Sequence, residues 1–564
     1  MTYNDLAAPS VIADRLAAAT TLADLFLSTA DAHPDEVALR SHETGVELTY
    51  RQARVRIGAI AERLRALGVE QGEPVALMLR NRPEFHLFDT AVMLLGAVPF
   101  SLYNTSAPEQ LAYVLSDAGV RTIVSESAFL DVLQTARQSA ADVERLVLVD
   151  RAEGAKGSEG AGGDCGGHDD LGAELAAEST DFDFGQISRI GPDDLLTLIY
   201  TSGTTGPQKG VELTHLGMLT QLRGLHDALP LPGLGRQVSF LPSAHVADRW
   251  TSHYSGFMTY ANSVTSVADM ADLAPALVQT RPTLFGAVPR VWEKLKSAVD
   301  AGYPGDAVAD SLANPAVASA LRGKLGLDEA QWVVTGAAPT PRGVLEFFTA
   351  LGLPLCEMLG MSEVSCCVAT NTPDAIRLGS VGRPLETVEM RIAEDGEVLV
   401  RGPQVMRGYW GAPEKTAEAI DADGWLYTGD VGKVDDDGYL WIVDRKKELI
   451  INAAGKNMSP AGIEMAVRSA GNLISHVAVV GDGRRYNVAL IVADPARAGE
   501  PGLHEKIREQ VDRANAGLAR VEQIKKFTVL ERDWRPGHEL TPTMKLRRRV
   551  IDEIYSAEIE QLFS

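Results

Sequence analysis

Short, strongly apolar runs alternate with segments of helical periodicity in this chain, and few architectures accept that order. Residues 73–79, 121–125 and 145–150 are such runs, with Val75, Ala76, Leu77 and Met78 in succession in the first. A continuous apolar run bounded by polar residues reads as a buried strand. Residues 50–67 and 83–96 space their apolar side chains at the helical period. Strands that alternate with helices pair in parallel, so the expected class is α/β with mostly parallel sheets. The 564 residues allow about three or four compact units at roughly 150 residues each, enough for a large core.

Two changes of character follow. Residues 151–184 hold Gly154, Gly157, Gly160, Gly162, Gly163, Gly166 and Gly167 among acidic residues and read as a solvated surface loop. Residues 396–434 alternate strands and turns, whereas residues 460–563 return to helix–strand alternation, with strands at 477–480 and 488–492. A boundary at about 443–446 is expected, dividing a domain of residues 1–443 from a small one of residues 444–564. No internal repeat of fixed period is visible.

Composition narrows the partners. Lys plus Arg total 53 and Asp plus Glu total 76, a net charge of −23, so the general field repels nucleic acid and anionic lipid. A polyanion could bind only at a local site. Cys165, Cys356, Cys366 and Cys367 form no metal-ligand spacing and no disulfide framework, and Cys366-Cys367 reads as small buried filler. A reducing cytoplasm fits. Residues 1–15 carry Asp5 and Asp14 and lack the basic-then-apolar order of a secretory signal. The most apolar stretch, residues 91–103, falls short of the roughly 20 residues that span a bilayer.

The local anion site is legible. Residues 198–210 read Leu-Ile-Tyr-Thr-Ser-Gly-Thr-Thr-Gly-Pro-Gln-Lys-Gly: an apolar strand, then a loop of hydroxyls and glycines, then a lysine. Glycines let backbone N–H groups approach an anion, hydroxyls add donors, and Lys209 adds a point charge. A Walker loop needs Gly-Lys followed by Ser or Thr, but Lys209 lies between Gln208 and Gly210.

This loop resembles the signature of the adenylate-forming (ANL) superfamily, which includes acyl-CoA synthetases, non-ribosomal peptide adenylation domains and luciferases. Further motifs follow in the family's order: residues 241–246, Gly336-Ala337-Ala338-Pro339, Gly360-Met361-Ser362-Glu363 and residues 424–430. Residues 444–448, 455–460 and Pro542-Thr543-Met544-Lys545 complete the set. Residues 289–294 (Pro-Arg-Val-Trp-Glu-Lys) and the Lys456-Asn457 pair are most similar to long-chain fatty acyl-CoA synthetases. The resemblance implies a large N-terminal domain of α/β subdomains plus a β-rich subdomain, followed by a small mobile α+β C-terminal domain.

It also implies a reaction. A carboxylic acid and ATP give an acyl-adenylate and pyrophosphate, and coenzyme A then displaces AMP. Thr201, Ser202, Gly203, Thr204, Thr205, Gly206 and Lys209 would cradle the outer phosphates. Glu363 would hold Mg²⁺, a hard cation suited to carboxylate oxygen, and Ser362 would contact the α-phosphate. Gly336, Ala337 and Ala338, with Leu359, Gly360 and Met361, would line the nucleotide and acyl pocket. Asp430 would accept from the ribose hydroxyls, and Arg445 would contact ribose or phosphate. Lys545 would be the adenylation lysine, His245 a gate at the acyl mouth and Lys447 the hinge. Gly455, Lys456 and Asn457 would form the CoA-side loop. The run Arg547-Arg548-Arg549 reads as a solvated helix face. Oligomeric state stays open, a homodimer included.

Three positions depart from the family. Leu359 stands where an adenine-stacking aromatic is usual, Gln208 replaces the proline before the lysine, and Ser243 and Ala247 are smaller than in related long-chain enzymes. The first two fall in the ATP-handling half, which leaves open an enzyme that works only from preformed acyl-adenylate. The third suggests a wider pocket for a bulky acid. A stand-alone enzyme loading a carrier protein and an inactive nucleotide sensor are the remaining alternatives.

Overall fold

A computed structural model describes residues 7–150, 169–201, 207–302, 314–497, 499–535, 537–541 and 544–564. The architecture is α/β, as expected. A five-stranded all-parallel sheet runs Val98–Ser101, Pro74–Met78, Thr122–Ser125, Arg145–Leu148 and Asp169–Asp170. Every residue of Pro74–Met78 is buried, because helices cover both faces. The helix Tyr50–Ala66 starts at a capping box between Thr49 and Gln52. The helix Pro83–Leu94 begins with proline at its first turn and buries every residue except Glu84.

A second sheet orders Arg236–Ser239, Ser263–Ser266, Val37–Ser41 and Glu47–Thr49, with only the last pair antiparallel. A third joins Leu284–Ala287, Trp332–Thr335 and Leu355–Met361 in parallel, then turns antiparallel through Cys366–Thr370 and Arg383–Pro384. Ligand sites of α/β sheets gather at the carboxyl ends of strands. Two such ends carry Gly336-Ala337-Ala338 and Ser362-Glu363. The β-rich part is an antiparallel sheet of Glu389–Ile392, Glu397–Arg401, Leu426–Val434 and Leu440–Arg445.

Beyond it, Ile474–Val480, Asn487–Ala493 and Ile524–Leu530 form a small sheet. Ile463, Val467, Ile507 and Val511, from the helices Pro460–Ser469 and Leu503–Gly517, pack with Val477, Ala489 and Ile491 of this sheet. Trp534, Leu540, Ile551 and Tyr555 pack with Ala478, Leu490 and Val492. The buried clusters of the first part reach no further than Leu440, and those of the last part begin at Ile450.

The Gly- and acid-rich stretch departs from the expected loop in its second half. Residues 151–168 lie outside the described residues. Asp169–Asp170 extends the parallel sheet, and Leu171 and Phe182 are buried. Two large apolar side chains are enough to dock this segment on the helix Tyr50–Ala66, where Gly58 leaves room: a Cβ there would lie 2.8 Å from Thr180. Cys366 and Cys367 are buried and free, as expected of filler.

Burial also sets a pH dependence. His215, 1% exposed, accepts the Leu22 N–H through Nδ1 at 3.1 Å. Burial pushes its pKa down to about 4, below the unfolded value of about 6.5, so its contribution is lost as pH falls through that window. The slope for this group is about 1.4 kcal/mol per pH unit. Asp248, pushed up to about 7 by burial, has the opposite sign: its contribution is lost as pH rises through that value. A His215→Gln variant is expected to melt below the wild type at pH 7, with the gap closing between about pH 6.5 and 5. Thermal melts of both proteins across that range are the check.

Candidate active site

The strands that flank the phosphate loop are paired. Leu195–Thr201 pairs antiparallel with Lys209–Thr214, and Thr201 lies directly opposite Lys209. Ser202, Gly203, Thr204, Thr205 and Gly206 fall outside the described residues. Lys209 is therefore the first residue of the returning strand, with its backbone set by the ladder. Gln208 is held too: the Tyr113 hydroxyl donates to its carbonyl at 3.0 Å. Although position 208 lacks proline, these two contacts restrain the backbone on the Lys209 side of the loop.

Lys209 projects Nζ over the Tyr409 ring, 3.8 Å from its centroid. Burial lowers its pKa, while the Glu363 charge acts to raise it. Tyr409 donates its hydroxyl to Glu363 Oε1 at 2.9 Å. Glu363 sits in a single 3-10 turn, Ser362–Val364, directly after the strand Leu355–Met361. Ser362 is buried and Leu359 half-buried on that strand. Gly360 is obligatory, since a Cβ there would meet the Cys366 carbonyl oxygen at 1.9 Å. Ala337 adopts φ +69°, a left-handed conformation that costs an alanine about 1 kcal/mol or more, and it reverses the chain between Gly336 and Ala338.

Asp430 is buried in the strand Leu426–Val434, and its register partner Arg445 donates Nε to it at 2.7 Å. Burial raises the Asp430 pKa, while the charges of Arg445 and Lys545 act to lower it. Lys545 enters from the C-terminal part. Solvent reaches this residue, yet protein surrounds the amine closely enough that lost hydration lowers its pKa. Arg445 lowers it further, and Asp430, Glu448 and Glu363 act to raise it. The Lys545 turn is tied internally: Lys545 N–H donates to Thr541 Oγ1 at 3.0 Å, and the Thr541 N–H donates to the Lys545 carbonyl at 2.8 Å. His245 caps the turn Val246–Asp248, its Nδ1 accepting the Ala247 N–H at 3.2 Å. Burial, and then the Lys545 charge, push its pKa down to about 4, so the ring is neutral at pH 7.

Lys209, Glu363, Asp430, Arg445, His245 and Lys545 are thus linked as electrostatic neighbours in one place. Lys447 lies in the exposed turn after the strand Leu440–Arg445. Gly455, Lys456 and Asn457 form an exposed loop tip, with Gly455 at φ +74°. Ser243 is buried, and its carbonyl accepts from Nε of the fully buried Arg249 at 3.2 Å.

Sequence reading missed two contributors. Tyr409 carried no signal beyond an aromatic after a glycine. Arg548 was expected on a solvated helix face; instead it donates to Glu464 at 2.6 and 2.8 Å and to Glu448 at 3.1 Å. Glu464 is buried, and three acceptor contacts converge on one guanidinium, which keeps Arg548 from solvent. Glu448 follows the hinge candidate Lys447, so Arg548 ties the Lys545 segment to that turn.

Residues 26–410 match the AMP-binding enzyme family, and residues 447–564 match the AMP-binding enzyme C-terminal domain. The chain belongs to the AMP-binding enzyme family. Among similar proteins, the putative fatty-acid–CoA ligase fadD11 of Mycobacterium tuberculosis is 46% identical over 69% of this chain and 77% of its own. The long-chain-fatty-acid–CoA ligase FadD15 of the same species is 33% identical over 94% of this chain and 95% of its own. The adenylation domain of a carboxylate reductase from Mycobacterium chelonae superposes with a TM-score of 0.82 at 21% identity, covering 99% of this chain and 94% of that one. O-succinylbenzoate coenzyme A synthetase of Bacillus subtilis, solved with ATP and a magnesium ion, gives 0.72 at 23% identity over 93% of this chain and 98% of that one. These likenesses establish the ANL fold of this AMP-binding enzyme. No helix among the described residues is long and apolar enough to cross a membrane.

Removing the Arg548 guanidinium leaves Glu464 buried without its partner, a loss of about 3–5 kcal/mol. An Arg548→Ala variant is expected to unfold at lower denaturant than the wild type, with Arg548→Lys intermediate. Denaturant titration followed by tryptophan fluorescence, to which Trp534 in the affected part contributes, is the check.

Proposed function

We propose that this protein is an acyl-CoA synthetase that converts a carboxylic acid to its CoA thioester through an acyl-adenylate, releasing AMP and pyrophosphate. The observation that carries the proposal is the convergence of Lys545, from the last part of the chain, on Asp430, Arg445 and Glu363 from the first. A carboxylate must approach a polyanion, so the barrier is largely electrostatic and fixed cations lower it. In the first half-reaction a carboxylate oxygen attacks the α-phosphorus of ATP and the bond to pyrophosphate breaks. Lys209 faces the departing phosphates, which the hydroxyl-rich loop would also bind by its family resemblance. Lys545 neutralises charge between the acid and the α-phosphate. Asp430, aligned by Arg445, accepts from the ribose hydroxyls. Neutral His245 adds no second cation at the acyl mouth.

A magnesium site fits the residues present: Tyr409 occupies Glu363 Oε1, and no other hydrogen bond reaches this carboxylate among the described residues. Glu363 would hold the ion, and Mg²⁺ when bound neutralises phosphate charge. In the second half-reaction the CoA sulfur attacks the acyl carbon, and the bond to AMP breaks. That step calls for Lys545 to withdraw. The residues after Lys447 are proposed to turn about it and bring the exposed loop of Gly455, Lys456 and Asn457 to the CoA channel.

The relatives' names make fatty acids the first substrates to offer, with bulky acids as a second series because Ser243 and Ala247 are small. The anchoring of Lys209 and Gln208 supports a working ATP half-reaction in spite of Leu359. Purified enzyme with acid, ATP and CoA is expected to form acyl-CoA and AMP, read by mass spectrometry, and to exchange pyrophosphate into ATP. Lys545→Ala is expected to slow adenylate formation at least about 100-fold, yet still convert synthetic acyl-adenylate and CoA to thioester. Synthetic acyl-adenylate left untouched by the wild type sinks the proposal; activity on acyl-adenylate without pyrophosphate exchange replaces it by the thioester-only reading.

A further inference from the structure

One five-residue segment, residues 406–410, fastens the lysine and the carboxylate of this site to each other. Met406 N–H donates to the Glu363 carbonyl at 2.8 Å. Arg407 N–H donates to the Glu212 carbonyl at 3.0 Å, and Trp410 N–H to the Gly210 carbonyl at 2.8 Å. Gly408–Tyr409 thereby becomes the third strand beside the hairpin that starts at Lys209. The Tyr409 N–H donates to Thr416 Oγ1 at 2.9 Å, which fixes the residue from the other side. The Tyr409 side chain, 8% exposed, touches both Lys209 and Glu363. Its ring face receives the ammonium at 3.8 Å, and its hydroxyl donates to Glu363 Oε1 at 2.9 Å.

Opposite charges this close, with nothing between them, attract strongly. A direct Lys209–Glu363 ion pair would satisfy each with the other and compete with an incoming metal–nucleotide complex. Tyr409 supplies each partner with a substitute: a π face for the cation, and one hydrogen bond for the carboxylate that leaves Oε2 for a metal.

We propose that Tyr409 is a positioning residue that holds the phosphate-side lysine and the metal-side carboxylate apart and ready for magnesium–nucleotide. The inference rests on the reading of the site given above. It makes Tyr409 matter to the ATP half-reaction and not to thioester formation from acyl-adenylate.

The test uses the full-length enzyme and the non-hydrolysable analogue α,β-methylene ATP, titrated by calorimetry at stepped MgCl₂ concentrations. Tyr409→Phe keeps the ring and removes the hydroxyl. It is expected to raise the magnesium concentration for half-maximal analogue binding about tenfold, the scale of one lost hydrogen bond to a charged group, and to leave metal-free binding unchanged. Tyr409→Leu is expected to weaken metal-free binding as well. In a Glu363→Gln background Tyr409→Phe is expected to add nothing, and Tyr409→Phe is expected to turn over synthetic acyl-adenylate with CoA at the wild-type rate. A merely structural role lowers the melting temperature without moving the magnesium dependence, and that result overturns the proposal. So does Tyr409→Phe binding indistinguishable from wild type. A wild type that binds no nucleotide takes the functional reading down with it.

Discussion

A lysine ammonium set among other charges has to be compensated, and the site is organised around doing that for Lys545, which keeps contact with solvent. Burial lowers its pKa, and Asp430, Glu448 and Glu363 hold the charge in place. The same carboxylates need cations in return: Asp430 has Arg445, and Glu363 has Lys209 nearby. A chain of net charge −23 repels phosphate at long range. Binding a polyanion, as the proposed reaction requires, depends on these few cations being gathered in one place.

The scaffold supports that concentration by local means. Lys209 is set by a ladder, Glu363 by a tight turn, and Asp430 and Arg445 by direct register across two antiparallel strands. Lys545 alone has no N-terminal strand or helix to fix it. Its position depends on the Arg548–Glu464–Glu448 cluster and on the turn at Lys447. An element held by a short turn and a polar cluster can move as a unit, whereas one built into a sheet cannot. That difference suits the role proposed for Lys545, acting in the first half-reaction and withdrawing in the second.

Most of the elements were legible. Buried parallel strands have no polar face, so the runs at 73–79 and 121–125 stand out within a few residues of the observed Pro74–Met78 and Thr122–Ser125. Where reading failed, the deciding contact was distant. The stretch looked solvated for its few large apolar side chains, but Leu171 and Phe182 join the large core, and Thr180 and Phe184 close on Gly58. Arg548 looked solvated because its acceptors lie 84 and 100 residues away in the chain.

The sequence by itself determined the α/β class, the family and the chemical type of each site group, since periodicity, glycine placement and side-chain charge are local properties. Only the tertiary structure decided which groups meet. Tyr409 reaches Glu363 across 46 residues, and its ring lies under Lys209 because residues 408–409 pair with the strand that Lys209 begins. Strand pairing and the packing of the last part on the first choose such partners, and neither leaves a mark in the neighbouring residues.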